Sequence, residues 1–583
     1  MKKPAFRKKS ADRAEEPFEP VEAFESAGAF ESAGAFEPAE SAEPARAEAK
    51  APGRSAGTKT TQSLLAAAVV LAAVFGIAQV RQPAGPAKAD VVAPATAQVE
   101  RTAAVCPQPL QGLTGSTTLS AYTPPGTGSA TGGAGWLSDQ AAPATPPTTA
   151  PSATPTAGAP ATPAPSGSGA PAAPAPDKNA APADAKLTVT KPGTPATGPA
   201  TNGDAAPGTG AVATGALAPG FTVTQTTVVT EQRGLGLSGL TCTPAGTDFW
   251  FAGASTAGDR VDYVSLVNTE SSAAVVDIKL YGDKGLIDND AANGITVAPG
   301  SSQSVLLSTI SKGAVTDLAV HVVARSGRVG AALHAADGNK GADWIPASAD
   351  PAATQVLPGL PADTSAARLV VWAPPEDDAD LKIQLSGKNG WFTPAGNESI
   401  HVKAGMVAAV DLGKVTRDEV AGLRLSPSDD KHPTPIVAGL RVDRTGSNGK
   451  SDAAWLTGSN PIGARATVAD NRAGASTLFL TSTGDAATVK VTGSAGSGGG
   501  TPATKEVQIP AGGTVAVPAP EPAGLNGVFA LTVETESGGP VVAARMLAIP
   551  TKDVPMFTVQ ALRDDHSTVK VPQAAQDPAV VLR

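Results

Sequence analysis

The chain is poor in the residues that carry chemistry. It has two cysteines, five histidines, and an aromatic content of only 4%. Its charges sum to −9, which argues against nucleic acid as a partner, since that would want a basic face. The histidines His321, His334, His401, His432 and His566 lack metal-ligand spacing and do not share repeat positions, so each is expected to be solvated or capping. Ser567-Thr-Val-Lys570 matches S-x-x-K, but no S-D-N or K-T-G string accompanies it. Gly253-Ala-Ser255-Thr-Ala-Gly258 is one residue too long for a nucleophile elbow. Asp288-Asn-Asp290 resembles half a calcium loop, but proline stands where the twelfth ligand belongs. A plain turn is expected there, and a solvated loop at Glu376, Asp377, Asp378 and Asp380. Gly234-Leu-Gly-Leu-Ser-Gly239 precedes no helix pattern and is no phosphate cradle. No residue is assigned a catalytic, cofactor-binding or metal-ligating role, and the protein is read as non-enzymatic.

What the chain has in quantity is glycine (63) and proline (53), which disfavours an all-helical fold and suits short strands joined by turns. It also has one long uncharged run. Between Lys59 and Arg81 lie 21 residues without charge, about what a helix needs to cross ~30 Å of hydrocarbon. Lys50, Arg54 and Lys59 on the N-side outnumber Arg81 and Lys88 on the other. The positive-inside rule therefore expects a single-pass helix over 63–80, a cytoplasmic N-terminus and an extracytoplasmic C-terminal part. Cleavage after Ala87-Lys88-Ala89 is the alternative.

Residues 1–62 read as a disordered cytoplasmic tail, basic and then acidic, with Phe18, Phe24, Phe30 and Phe36 each followed by glutamate. Linked copies of such a phrase suit multivalent docking. Residues 81–98 read as a tether and 99–122 as a strand segment joining the ectodomain. Residues 123–220, rich in Pro, Ala and Thr, are expected to be a disordered loop. Two cysteines in an exported region predict one disulfide, Cys106–Cys242.

The remainder repeats. Val276, Ile278 and Leu280 alternate with polar residues, as do Leu381, Ile383 and Leu385, and Val489 and Val491. Each run leads to a glycine, at Gly282, Gly387 and Gly493, spaced by 105 and 106 residues. Turns ending at Gly300, Gly405 and Gly512 keep the same period, and each unit closes on an aromatic, Trp344, Trp455 or Phe557. The fold class expected is mainly β: one N-terminal transmembrane helix, then about three immunoglobulin-like β-sandwich repeats over 221–350, 351–460 and 461–567, then a disordered tail 568–583. A closed β-propeller-like assembly is the alternative. Trp344 and Trp455 are expected to pack in cores or between modules.

The run Leu64–Val80, Cys106-Pro-Gln-Pro109, Cys242-Thr-Pro244, Phe249-Trp-Phe-Ala-Gly253, Val267-Asn268 and Val276–Gly282 together resemble an uncharacterised family of membrane-anchored, exported proteins of high-GC actinobacteria, defined only as a domain of unknown function. The resemblance covers roughly residues 60–120 and 220–575. It implies an extracytoplasmic β-rich protein, accessory to building envelope polysaccharide, and supplies no catalytic residues. The function expected is binding or scaffolding of a cell-envelope component. The alternative is an accessory subunit of a membrane glycosyltransferase making envelope polysaccharide. The partners expected are the cytoplasmic membrane and an envelope polysaccharide or a membrane protein; no cofactor is expected.

Overall fold

A computed structural model describes residues 94–109, 115–126, 132–140, 180–202, 206–230, 234–338, 340–551 and 554–572. The expected tail 1–62 and membrane helix 63–80 lie outside the described residues. Among the described residues no helix is long and apolar enough to cross a membrane.

Alternation along the chain builds the strands. Val276, Ile278 and Leu280 turn inward and meet Phe251, Val320 and Val322 of the same sheet, and Val264, Leu266 and Leu333 of the facing one. Two sheets thus enclose one core. The first sheet of this sandwich runs in the order Asp248–Ala254, Leu318–Ser326, Ala274–Gly282, Gly285–Ile287. The facing sheet runs Ser301–Leu306, Arg260–Asn268, Gly330–Asp337, Ala342–Ile345.

The same order recurs twice downstream. The next sandwich has Gln355–Leu360, Ala421–Pro427, Ala379–Gly387 and Gly390–Phe392 facing Val407–Asp411, Ala366–Trp372, Val437–Thr445 and Ser451–Thr457. The last has Arg465–Asn471, Phe529–Gly538, Ala487–Gly493 and Ala503–Ile509 facing Thr514–Pro518, Ser476–Ser482, Val541–Ala548 and Phe557–Leu562. In the immunoglobulin arrangement the first two strands are neighbours in one sheet. Here they lie in opposite sheets in every module, so the likeness to immunoglobulin domains stops at the two-layer architecture.

A fourth sandwich precedes these three, and it corrects the expected boundaries. Arg101–Cys106, Thr209–Thr214, Gly135–Asp139 and Leu187–Val189 face Ala196–Thr197, Ser116–Tyr122, Thr222–Val229 and Gly236–Thr241, in the same strand order. Residues 221–241 therefore belong to this module and not to the one that follows. The stretch 123–220, expected to be a disordered loop, supplies several of its strands. Small residues suffice there, because Leu137, Val189, Ala211 and Ala213 are buried against Leu119, Phe221 and the disulfide. Cys106 and Cys242 are bonded, with Cα atoms 4.7 Å apart. Two further boundaries move. Ala95–Gln98, expected in the tether, pairs antiparallel with Thr568–Val571, expected in a disordered tail.

The four sandwiches follow one another around a common centre, and the last packs back against the first. Four strands meet at that centre, one from each module: Gly236–Thr241, Ala342–Ile345, Ser451–Thr457 and Phe557–Leu562. The circle resembles a propeller only in closing. Each unit is built on a pair of facing sheets, and among the described residues no sheet closes into a barrel.

The disulfide spans 136 residues of sequence, a loop whose closure contributes about 5 kcal/mol in the chain-entropy model. Reduction, or Cys106→Ser with Cys242→Ser, is expected to unfold the first sandwich ahead of the others. Hydrogen exchange of residues 101–241, compared with the oxidised protein, checks this.

Candidate functional site

At the centre of the circle lies a buried carboxylate. Asp452 has no exposed surface. Its Oδ2 accepts from the backbone N–H of Leu237 at 3.2 Å and of Phe557 at 2.9 Å, and its Oδ1 from Ala453 at 2.9 Å. The backbone amide of Ala342 also donates to it. One side chain thus accepts from all four central strands. Gly236 makes room, since a Cβ there would lie 2.5 Å from Asp452 Oδ1. Nearby, Asp343 Oδ1 accepts from Gly239 N and from its neighbour Trp344 N, both at 2.8 Å. Burial raises both carboxyls, Asp452 to about 7 and Asp343 well above the ordinary value, against the pull of the amide donors.

Arg545 adds a buried cation. It pairs across from Leu478, the register position that Leu333 and Leu440 hold in the two preceding sandwiches. It is fully buried, donates to Gln560 Oε1 and to the carbonyl of Ala469, and burial lowers it to about 10.

The second concentration of polar groups is the cleft between the second and third sandwiches. Arg368 of the third donates to Asp317 of the second at 2.8 and 2.7 Å, and pairs with Asp411 at 2.7 Å. Arg441 of the third pairs with Asp337 of the second and, at 2.8 Å, with Asp443. Arg260 pairs with Asp262 at 2.6 Å. Trp455 lies between Arg260 and Arg441, whose guanidinium carbons are 5.3 and 5.5 Å from its ring. Two contiguous recesses share Thr316, Asp317 and Arg368 and hold about 830 and 1010 Å³ including their open mouths. Lys340 and Asp259 line the first recess, Asp283 and Lys284 the second.

The residues singled out from sequence are placed as follows. Trp455 is fully buried in the core of the second sandwich although its strand belongs to the third, and Trp344 is buried against Tyr263 and His334. Trp250 stacks on His321 at 3.7 Å and meets Trp372 at 4.2 Å, joining the second and third sandwiches. Two histidines correct the expectation of solvated roles. His334 is only 2% exposed and burial lowers it to about 4, so it stays neutral. His321 is held between Trp250 and Asp248, at 2.9 Å from the carboxylate. His401 bonds Asp380 at 2.8 Å across two paired strands, so Asp380, expected in a solvated loop, belongs to the strand Ala379–Gly387, while Glu376, Asp377 and Asp378 precede it. Asn289 caps a short turn by accepting from Ala291 N. Ser255 lines the cleft, but its hydroxyl is engaged with the carbonyl of Val315 at 3.0 Å. Ser567 and Lys570 lie at an exposed two-stranded ribbon.

The family model for a family of unknown function (DUF5719) matches residues 197–520, more than half of the chain. The chain belongs to that family. The DUF5719 match begins within the first sandwich and ends within the fourth, spanning the second and third whole. The cleft with its Arg368–Asp317 and Arg441–Asp337 pairs therefore lies inside the matched DUF5719 region. Arg545, Phe557 and the disulfide partner Cys106 lie outside it. No curated protein and no solved structure gives a significant match.

Two outcomes follow from this geometry. Asp452 stands above its ordinary 3.8 when folded, so its contribution to stability is complete below about pH 4 and is lost as pH rises through about 7. The urea midpoint is expected to fall from pH 5 to pH 8, with a shallower slope in Asp452→Asn; an unchanged slope would assign the effect to another group. Asp452→Ala leaves buried amides without acceptors, each costing about 1–3 kcal/mol. Loss of a single cooperative transition in calorimetry reads that effect.

Removing Arg441 strands the largely buried carboxylates of Asp337 and Asp443. Arg441→Ala is expected to destabilise by about 3–5 kcal/mol, the range for breaking a buried pair, whereas Arg328→Ala at an exposed pair should cost under about 1 kcal/mol. Denaturant titration of both variants checks the contrast.

Proposed function

We propose that the protein is a non-enzymatic, membrane-anchored, extracytoplasmic protein that binds or scaffolds a hydroxyl-rich component of the cell envelope. The observation that carries this reading is the charged cleft between the second and third sandwiches. Its walls belong to two modules held in one register by Arg368–Asp317 and Arg441–Asp337. Both signs of charge line it at close range, which suits a polar polymer with many donors and acceptors more than an apolar ligand. The disulfide supports an oxidising compartment. The uncharged run Leu64–Val80 supports an anchor, with the basic residues before it on the cytoplasmic side.

The phenylalanine phrases at Phe18, Phe24, Phe30 and Phe36 favour a second reading, an accessory subunit of a membrane glycosyltransferase docked through that tail. Cross-linked recovery from intact cells, anchor retained, tests both. Lys340→Ala with Asp259→Ala is expected to reduce captured envelope polysaccharide about tenfold, the effect of roughly 1.4 kcal/mol. Undiminished capture would overturn the cleft as the binding surface. Loss of a membrane-enzyme partner on deleting residues 1–58, with polysaccharide capture intact, would favour the subunit reading.

A further inference from the structure

Apart from the charged cleft, a pocket opens where all four sandwiches converge. Gly239 and Thr241 come from the first, Ala331 from the second, Ser459 follows the central strand of the third, and Gln560 and Arg563 belong to the fourth. It holds about 640 Å³, counting its open mouth. Among the described residues its lining has no Asp or Glu, and Arg563 is the one charged group.

Two donors there are left over. Gln560 is 3% exposed. Arg545 has only donors to offer, so the oxygen of the Gln560 amide must face it, and the NH2 must face away. That Nε2 is buried without a partner. It lies beside Gly239, where a Cβ would come within 2.4 Å of it, so only glycine leaves room for this amide in the pocket lining. Arg563 donates to the carbonyl of Ala347, which occupies one of its five N–H groups. Asp350 acts on it only through space. The eight arginines at 260, 325, 328, 368, 441, 444, 465 and 472 are each paired with a carboxylate. A guanidinium without such a mate, in the same lining as an amide N–H without an acceptor, matches what a carboxylate group requires.

We propose that this pocket binds a small carboxylate with a compact apolar body, its oxygens taken by Arg563 and Gln560 Nε2. The carboxylate can belong to a free short-chain acid or to the C-terminus of a peptide. The site is separate from the charged cleft, so either can fail without the other.

The test titrates the full chain in detergent micelles by calorimetry with butyrate and with N-acetylalanine, against butyramide and N-acetylalaninamide. At least one acid is expected to bind at least about tenfold more tightly than its amide, the worth of one charge-assisted contact. Preference for butyrate identifies a free acid, and preference for N-acetylalanine a peptide terminus. Arg563→Gln should remove the preference for acid over amide. Ser459→Leu, which adds bulk to the lining, should abolish binding of both. Circular dichroism of each variant confirms folding; should Ser459→Leu fail to fold, Arg563→Gln alone decides. Equal affinity for acid and amide, binding unaltered in Arg563→Gln, or no heat from either acid overturns the proposal.

Discussion

One carboxylate holds the circle together. The four central strands end their sheets, so each presents backbone amides to the others with no ladder to receive them. Four strands meeting edge to edge cannot all pair with one another. Asp452 resolves this with two oxygens that between them accept up to about four hydrogen bonds, and it receives from Leu237, Ala342, Ala453 and Phe557. Asp343 serves Gly239 in the same way. The cost is a carboxyl removed from water, visible in the raised affinity of both for protons.

The remaining joints follow the same division of labour. Inside each sandwich the contacts are apolar: Leu381, Ile383 and Leu385 in the third, Val489, Val491 and Leu531 in the fourth. Between sandwiches apolar packing continues, as where Trp250 meets Trp372 and Leu237 meets Leu547, and directional contacts are added to it. Arg368–Asp317 and Arg441–Asp337 join the second to the third. Ser386 joins the third to the fourth through Gly512 O and Thr514, and Thr467 joins the fourth to the first through Gly220 O. Directional contacts contribute little net free energy each, but they specify geometry, and geometry is what a circle of near-identical modules needs. Trp455 is one of the apolar joints, crossing from its own strand into the neighbouring core.

The strands of the last three sandwiches were legible because period-two alternation and turn glycines recur in register. The first sandwich was not. Its strands are separated by Pro, Ala and Thr-rich sequence, and composition alone assigns such a stretch to disorder. Ala211, Ala213 and Val189 order there because they pack against partners distant in sequence, a contact that no local pattern records. The circle was hidden for a related reason. Asp343 and Asp452 each precede a repeat aromatic and look like ordinary strand-end polar residues. Arg545 did leave a trace, a cation at a position that carries leucine in both preceding repeats.

The disulfide can be understood from this arrangement. Cys106 ends the outermost strand of the first sandwich, and Cys242 follows directly on its central strand. The flanking residues Val105 and Thr243 exchange backbone hydrogen bonds at 2.7 and 3.3 Å, so the crosslink and a short ladder act at one point. The module so clamped has the core most dependent on alanine. Its central strand nevertheless carries Leu237 and Gly239, the amides that Asp452 and Asp343 receive. A loosened first sandwich would withdraw those donors and leave two buried carboxyls short of partners, so a covalent bond at the rim of this alanine-rich module protects the hydrogen bonds at the centre of all four.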